Sequence, residues 1–238
     1  MTEGGIVKVQ KERKKITTKT LVTMKQRGEK ITALTAYDYL MARYLDEAGI
    51  DFILVGDSLG NVIQGNATTL TVTLDEIIYH AKIVKKAVKT ALLVVDLPFM
   101  SYHVDLRESV RNCGRVMKET GADAVKLEGG ERIAEVVKHL VKVGIPVMGH
   151  LGLTPQSINI FGTYVTRGTD PKEARMIQRD AKILQDAGCF GVVLEKIPAS
   201  LAKKITASIK IPTIGIGAGV NCDGQILVTH DMLGMTEM

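Results

Sequence analysis

Tryptophan is absent from this chain and aromatic residues are scarce, since the 238 residues include four phenylalanines and six tyrosines. Cysteine is scarce too: Cys113, Cys189 and Cys222 form neither a CxxC pair nor the Cys/His spacing of a zinc site. Three is an odd number for a disulfide framework. We therefore expect reduced thiols in or near the core of a cytoplasmic protein.

Long apolar runs are missing as well. No stretch approaches the ~20 apolar residues that span a bilayer, and the first thirty residues are too polar for a secretory signal. Much of the formal charge of +5 lies in residues 8–19. Because this run has no interleaved aromatics, we interpret residues 1–19 as a solvated basic arm, with neither nucleic acid nor membrane as a partner.

What is present is a repeated alternation of strand-like and helix-like segments. Apolar residues make up 45% of the chain, enough for a large aliphatic core. After a short helix at residues 20–27, strands are predicted at 31–36, 51–55, 91–95, 122–128, 145–149, 190–194, 211–216 and 225–228. The intervening helices are predicted at 37–48, 73–88, 106–120, 131–142, 171–187 and 199–208, with a long loop at 151–170.

This alternation predicts a parallel sheet, and about eight even repeats without a linker predict one (β/α)8 TIM barrel domain over residues 1–238. An open doubly wound sheet is the alternative. Only about ten residues follow the last predicted strand, too few for a full closing helix. We therefore expect a truncated or atypical carboxyl end.

Ionisable residues stand at the ends of five predicted strands, where a barrel gathers them at one mouth. They are Asp57, Asp96, Glu128, His150 and Glu195, and Lys126 shares the face of Ala124 and Glu128 on the fourth strand. Each acid could by itself be a helix cap or half of an ion pair. Together, several carboxylates in a water-poor mouth repel each other unless a cation neutralises them.

An all-oxygen donor set favours Mg²⁺ over zinc, with Asp57, Asp96 and Glu128 as ligands. Such an ion can chelate the carboxylate and keto oxygen of a 2-oxo acid and stabilise an enolate. Lys126 would then neutralise the substrate carboxylate or the enolate oxygen. Glu195 would take the proton next to the carbonyl, unless it pairs with Lys196.

Three further signals leave alternatives open. Gly215, Gly217 and Gly219 resemble a phosphate-binding loop, but close packing explains them equally well. His150 is a core histidine, a proton relay or a substrate donor. The His230-Asp231 pair is interpreted as structural.

Several long motifs resemble the ketopantoate hydroxymethyltransferase family, from about Ile31 to Gly234. They are VGDSLG at 55–60, DLPF at 96–99, AVKLEGG at 124–130, GHLGLTPQS at 149–157, LE at 194–195 and the segment that begins at Ile214. The resemblance implies transfer of a hydroxymethyl group from 5,10-methylenetetrahydrofolate to 3-methyl-2-oxobutanoate. The product would be 2-dehydropantoate, on the route to pantothenate and coenzyme A.

The resemblance also implies residue roles that agree with those above. Asp57, Asp96 and Glu128 correspond to ligands of one Mg²⁺ per subunit. Asp57, Ser58, Asp96 and Lys126 correspond to substrate contacts, and Glu195 to the proton acceptor. A homo-oligomer, often a decamer, is implied as well.

The sequence departs from the family pattern at three positions. Met100 and Thr163 stand where the family usually has glycine, and Val165 where it usually has lysine. The family also continues further at its carboxyl end.

Two other functions remain open. One is a C–C lyase or phosphonomutase, although the KKCGH-like loop of such enzymes is missing here. The other is a catalytically silent barrel that serves assembly or binding.

Overall fold

The computed structural model of this protein describes residues 13–236. Its strands are β1 (Ile31–Thr35), β2 (Phe52–Val55), β3 (Leu92–Asp96), β4 (Ala124–Glu128), β5 (Val147–Gly152), β6 (Gly191–Glu195), β7 (Thr213–Ile216) and β8 (Gly224–Leu227). All pair in parallel in sequence order, and β8 pairs with β1. The predicted closed barrel is therefore confirmed, and the open sheet is excluded.

Helices lie between the strands. They are α1 (Thr18–Arg27), α2 (Tyr39–Ala48), α3 (Leu59–Val62), α4 (Leu74–Ala87), α5 (Leu106–Thr120), α6 (Ala134–Lys142), α7 (Ile158–Phe161), α8 (Pro171–Ala187), α9 (Ala199–Ser208) and α10 (Thr229–Met232). Single 3-10 turns lie at Thr69–Thr71, Glu131–Ile133 and Pro155–Ser157. In residues 13–236 no helix combines the length and apolarity needed to cross a membrane.

Two layers of apolar side chains hold the barrel together. One fills its interior, with Phe52, Val94 and Met148 among the buried residues, and the other lies between the strands and the helices. Closure depends on Gly224, where a Cβ atom would lie 2.5 Å from the carbonyl oxygen of Ile31 on the neighbouring strand. Cys113, Cys189 and Cys222 are free and buried, as expected.

The amino end of the barrel is closed by α1 and the residues before it. Leu21 is fully buried in the interior layer, and Arg13 and Lys15 form ion pairs with Asp51 and Asp123 at 2.6 and 2.8 Å. This part of the predicted arm is therefore bound to the barrel and is not free in solvent. Residues 1–12 of the arm lie outside the described residues.

At the other end of the chain, the outer face of β8 is partly uncovered. Among the described residues only α10, four residues long, follows this strand, and Leu227 is 43% exposed. The segment 151–170 was predicted to be a loop because it is rich in Gly, Thr and Asn. In fact β5 continues to Gly152, which pairs with Glu195, and a 3-10 turn and α7 follow.

Candidate active site

A cavity of about 240 Å³ opens at the carboxyl end of the barrel, and we call it the central cavity. Every site residue predicted from the sequence lines it: Asp57, Ser58, Asp96, Lys126, Glu128, His150 and Glu195. Three of the acids are the final residues of their strands, because the strand breaks at a turn directly after them. Asp96, His150 and Glu195 were predicted directly after their strands. The structure makes Asp96 and Glu195 the last strand residues and places His150 two residues before the end of β5.

Strand β4 carries its two charges on the inner face. Ala124 belongs to the interior layer while Val125 and Leu127 belong to the outer one, so the predicted alternation is confirmed. Lys126 Nζ lies 2.7 Å from Asp96 Oδ1, and both residues are buried. Burial lowers the pKa of Lys126, but Asp96, Glu128 and Asp57 together raise it above its ordinary value. The ammonium group therefore stays charged.

Negative charge still exceeds positive charge around Asp57. Burial, followed by repulsion from Asp96 and Glu128, raises the pKa of Asp57 well above its usual range despite the Lys126 ammonium. Burial also raises the pKa of Asp96, although Lys126 lies next to it. A further cation in the central cavity would relieve this repulsion.

The acids line one cavity without forming a finished metal site. In the described part of the chain, no group of three or more His, Cys, Asp or Glu side chains is arranged so that it could hold a metal ion by itself. Both oxygens of Glu128 already have partners, His150 Nδ1 at 3.2 Å and the Gln156 backbone N–H at 3.0 Å. Mg²⁺ usually takes one or two carboxylates and completes its shell with water and substrate, so the donor set fits that ion.

His150 connects the buried acids to the cavity mouth. Its Nδ1 lies 3.2 Å from Glu128 Oε1, and its Nε2 lies 3.1 Å from Glu195 Oε2. Burial and the Lys126 ammonium lower the pKa of His150, but Glu128 and Glu195 outweigh them and raise it to about 9. A protonated ring can therefore face a carboxylate at each nitrogen, and Glu195, with 21% of its side chain exposed, is held where a ligand can reach it.

Sequence reasoning missed Gln156 and Tyr102. The Gln156 side chain donates to Asp57 Oδ2 at 2.8 Å and to the Leu97 carbonyl oxygen at 2.9 Å. Its own Oε1 accepts from the Tyr102 hydroxyl at 2.8 Å. Gln156 lies in the motif GHLGLTPQS and Tyr102 lies three residues after the motif DLPF, and these positions were the only available signal.

Two weaker signals of the sequence were the glycine-rich segment 215–219 and the His230-Asp231 pair. A Cβ atom at Gly219 would lie 2.5 Å from the Ala199 Cβ, and Gly217 has a φ of 60°. Close packing and backbone conformation therefore account for these glycines. His230 lies on α10 with its ring centroid 5.7 Å from that of Tyr37, whereas Asp231 lines the central cavity, so the structural interpretation of this pair stays a prediction.

Comparison with known proteins gives a consistent result over nearly the whole chain. The profile of the family described as "Ketopantoate hydroxymethyltransferase" matches residues 15–238. The 3-methyl-2-oxobutanoate hydroxymethyltransferase of Flavobacterium johnsoniae is 61% identical over 225 residues, which cover 94% of this chain and 83% of that protein. The enzyme of the same name from Christiangramia forsetii is 59% identical over 226 residues, 95% and 83% of the two chains.

Solved structures with a similar backbone are much more distant in sequence. A phosphonopyruvate hydrolase solved with oxalate and Mg²⁺ has a TM-score of 0.70 at 11% identity and covers 92% of this chain and 83% of that one. A 2,3-dimethylmalate lyase has a TM-score of 0.64 at 15% identity, with 92% and 82% covered. Likeness at this level establishes a shared barrel fold.

Proposed function

The chain belongs to the ketopantoate hydroxymethyltransferase family, and we propose that it transfers a hydroxymethyl group from 5,10-methylenetetrahydrofolate to 3-methyl-2-oxobutanoate. The reaction would consume one water and release 2-dehydropantoate and tetrahydrofolate, on the route to pantothenate and coenzyme A. Its relatives at about 60% identity carry the name of this activity. The observation that carries the proposal is the convergence of three acids, Lys126 and Glu195 on one cavity.

Asp57, Asp96 and Glu128 would hold the Mg²⁺ ion. Among the hydrogen bonds and ion pairs of the described residues, Asp57 Oδ1 and Asp96 Oδ2 take no part, which leaves one oxygen of Asp57 and one of Asp96 for a cation. Both oxygens of Glu128 have partners, so this acid would exchange one of them for the ion. When bound, the ion would polarise the keto oxygen of the substrate and lower the energy of the developing enolate.

The positive charge of Lys126 makes it the natural partner of the substrate carboxylate or enolate oxygen. Ser58 Oγ lies 2.6 Å from the Tyr37 hydroxyl, which fixes its direction beside Asp57. Burial raises the pKa of Tyr37 to about 12, so this hydroxyl keeps its proton. A Cβ atom at Gly56 would lie 3.1 Å from Asp96 Oδ2, and glycine there leaves room for the acid.

Glu195 would act as the base. It comes from β6, two strands from β4, and His150 Nε2 lies 3.1 Å from its Oε2. Its other oxygen can accept the proton from C3 of the oxo acid. The carbanion would then attack the one-carbon unit of the donor.

Proton exchange at C3 of 3-methyl-2-oxobutanoate in D₂O tests these roles without the folate. We expect NMR to show exchange with Mg²⁺, and little exchange with EDTA or in Glu195→Gln. Lys196→Met, a change at the next residue, serves as the control and should keep exchanging. Exchange that persists after chelation or in Glu195→Gln would overturn the assignment of roles.

Product formation from the oxo acid and methylenetetrahydrofolate, titrated with Mg²⁺, tests the complete reaction.

The lyase or phosphonomutase alternative rests on distant structures that share the fold alone. We further propose a cytoplasmic homo-oligomer, a decamer by family resemblance. Light scattering coupled to gel filtration would measure its size.

A further inference from the structure

Thr69 lines the central cavity from the 3-10 turn between α3 and α4, and the proposed function assigns no role to it. The residue is only 4% exposed, and its hydroxyl group has no hydrogen-bond partner among the described residues. The other buried polar side chains that line this cavity all have such a partner or an ion pair; they are Thr35, Asp57, Asp96, Lys126, Glu128 and His150. A buried hydroxyl without a partner is costly, so its presence here indicates a ligand that supplies one.

The fold holds Thr69 close to the turn that carries Asp57 and Ser58. A Cβ atom at Gly60 would lie 3.3 Å from the Thr68 carbonyl oxygen and 3.6 Å from the Thr69 Cα atom. The backbone N–H of Gly60 donates to the Asp57 carbonyl oxygen at 2.9 Å. Thr69 therefore borders the part of the cavity that contains a proposed metal ligand and a proposed substrate contact.

One reactant of the proposed reaction has no partner in the site so far, and this reactant is water. The carboxylate and keto oxygens of the oxo acid would be bound by Lys126, Ser58 and the Mg²⁺ ion. The water must lie in the central cavity as well, because the one-carbon unit that it attacks has to reach C3 of the oxo acid there. A hydroxyl group can accept a hydrogen bond from a water molecule and thereby fix the direction of its lone pairs.

We propose that the Thr69 hydroxyl binds the water whose oxygen becomes the new hydroxyl group of the product. This inference rests on the proposed function, which consumes one water. The Thr69 oxygen accepts a hydrogen bond from the water, and a lone pair of the water then points at the methylene carbon of the donor. Such orientation of a reactant lowers the entropic part of the barrier.

The atoms of this step balance without a further reactant. The water oxygen forms a bond to the methylene carbon, and both carbon–nitrogen bonds of the donor break in turn. The two protons of the water pass to N5 and N10, which gives tetrahydrofolate and formaldehyde. C3 of the enolate then adds to the carbon of formaldehyde, and the proton that Glu195 took from C3 passes to the oxygen.

Thr69→Val tests the inference in the full chain, because valine keeps the shape of the side chain and lacks the hydroxyl. Since the hydroxyl has no partner in the protein, we expect no loss of stability in urea denaturation. The single-turnover rate of product formation, with both substrates saturating, should fall about tenfold for one lost hydrogen bond. Thr69→Ser keeps a hydroxyl and should retain most of the rate. Thr68→Val is the matched control, at a neighbouring residue outside the lining of the central cavity, and should leave the rate unchanged.

Two further measurements separate this role from binding of either substrate. C3 proton exchange of the oxo acid and calorimetric binding of 5-formyltetrahydrofolate, a stable reduced folate, involve no reacting water, so both should be unchanged in Thr69→Val. Slower exchange would mean that Thr69 binds the oxo acid, and weaker folate binding that it binds the donor, and either result would overturn the inference. An unchanged rate in Thr69→Val, or an equal loss in Thr69→Ser, would overturn it too. Absence of exchange or of product in the unaltered protein would instead overturn the proposed function.

Discussion

Gln156 Nε2 donates a hydrogen bond to Asp57 Oδ2 at 2.8 Å, although 99 positions separate the two residues in the sequence. The backbone N–H of Gln156 donates to Glu128 Oε2 at 3.0 Å. One neutral residue thus contacts two carboxylates that repel each other. Because the Tyr102 hydroxyl fixes its side-chain oxygen, the amide group points its N–H groups at Asp57 and Leu97.

Replacement of Gln156 by Met is expected to loosen Asp57 and to leave the Tyr102 hydroxyl with only its longer hydrogen bond, to the Glu128 carbonyl oxygen at 3.2 Å. We expect the free energy of unfolding to fall by about 2–3 kcal/mol, measured by urea denaturation without metal. Mg²⁺ affinity, measured by calorimetry, should fall roughly tenfold or more, as for other residues that orient metal ligands.

Gln26→Met is the control for this change, because Gln26 is exposed on α1. It should alter neither quantity. A Gln156→Met variant that is destabilised but binds Mg²⁺ normally would show that Gln156 supports packing and does not orient Asp57.

The acids of the central cavity could be predicted because parallel strands bring their carboxyl ends to one edge. Asp96 and Glu195 each close an apolar run, and Glu128 ends a short strand pattern before two glycines; these local patterns are visible without a structure. Gln156 leaves no such trace, because it lies in a segment whose composition is typical of a loop. Its partner Asp57, two residues after the end of β2, is defined only by the three-dimensional path of the chain.

The interpretation of the basic arm as solvated was wrong at Arg13 and Lys15 for the same reason. The sequence around Lys15 predicts a solvent-exposed charge. Its ion-pair partner Asp123 is 108 positions away, at the amino end of β4. Periodicity and composition carry no information about such distant ion pairs. His150 was misplaced because Gly149 directly before it was taken as the end of β5.

Lys126→Met should be strongly destabilising, because it leaves Asp96 buried without its ion-pair partner. Breaking one side of a buried pair typically costs about 3–5 kcal/mol, which urea denaturation at neutral pH would measure. Lys182→Met is the matched control: its partner Asp186 is at the same distance of 2.7 Å, but both side chains are more than half exposed. Equal destabilisation in both variants would contradict the view that burial makes the Lys126 pair important.

Met100→Gly should stabilise the protein. Met100 has a φ of 65°, in the left-handed region, and its side chain is 49% exposed, so little packing is lost. Relief of this strain, offset in part by the freer unfolded chain, predicts a gain of about 0.5–1 kcal/mol by thermal or urea unfolding. Met100→Ala removes the same side chain but keeps the Cβ atom. If it gained as much stability as the glycine variant, backbone strain would not be the cause.

The stability of the protein should also depend on pH through Asp46. This carboxylate accepts hydrogen bonds from the backbone N–H groups of Lys89, Thr90 and Ala91 at 3.0, 3.0 and 2.7 Å. Burial raises the pKa of Asp46, but these hydrogen bonds outweigh it and lower the pKa below its ordinary value. Ionised Asp46 therefore joins the end of α2 to the turn before β3.

Because the folded protein holds fewer protons at Asp46 than the unfolded chain, its contribution is complete above the ordinary carboxyl pKa of about 4 and is lost as the pH falls through the lowered pKa. Asp46→Asn should therefore destabilise the protein by about 1.5–3 kcal/mol at pH 7, and the difference from the unaltered protein should shrink below about pH 4. Urea unfolding between pH 7 and pH 3 measures both. Glu47→Gln removes an exposed charge at the next position and should show little effect at any pH. A loss in Asp46→Asn that stayed constant across this range would mean that shape, and not the ionised carboxylate, holds the turn.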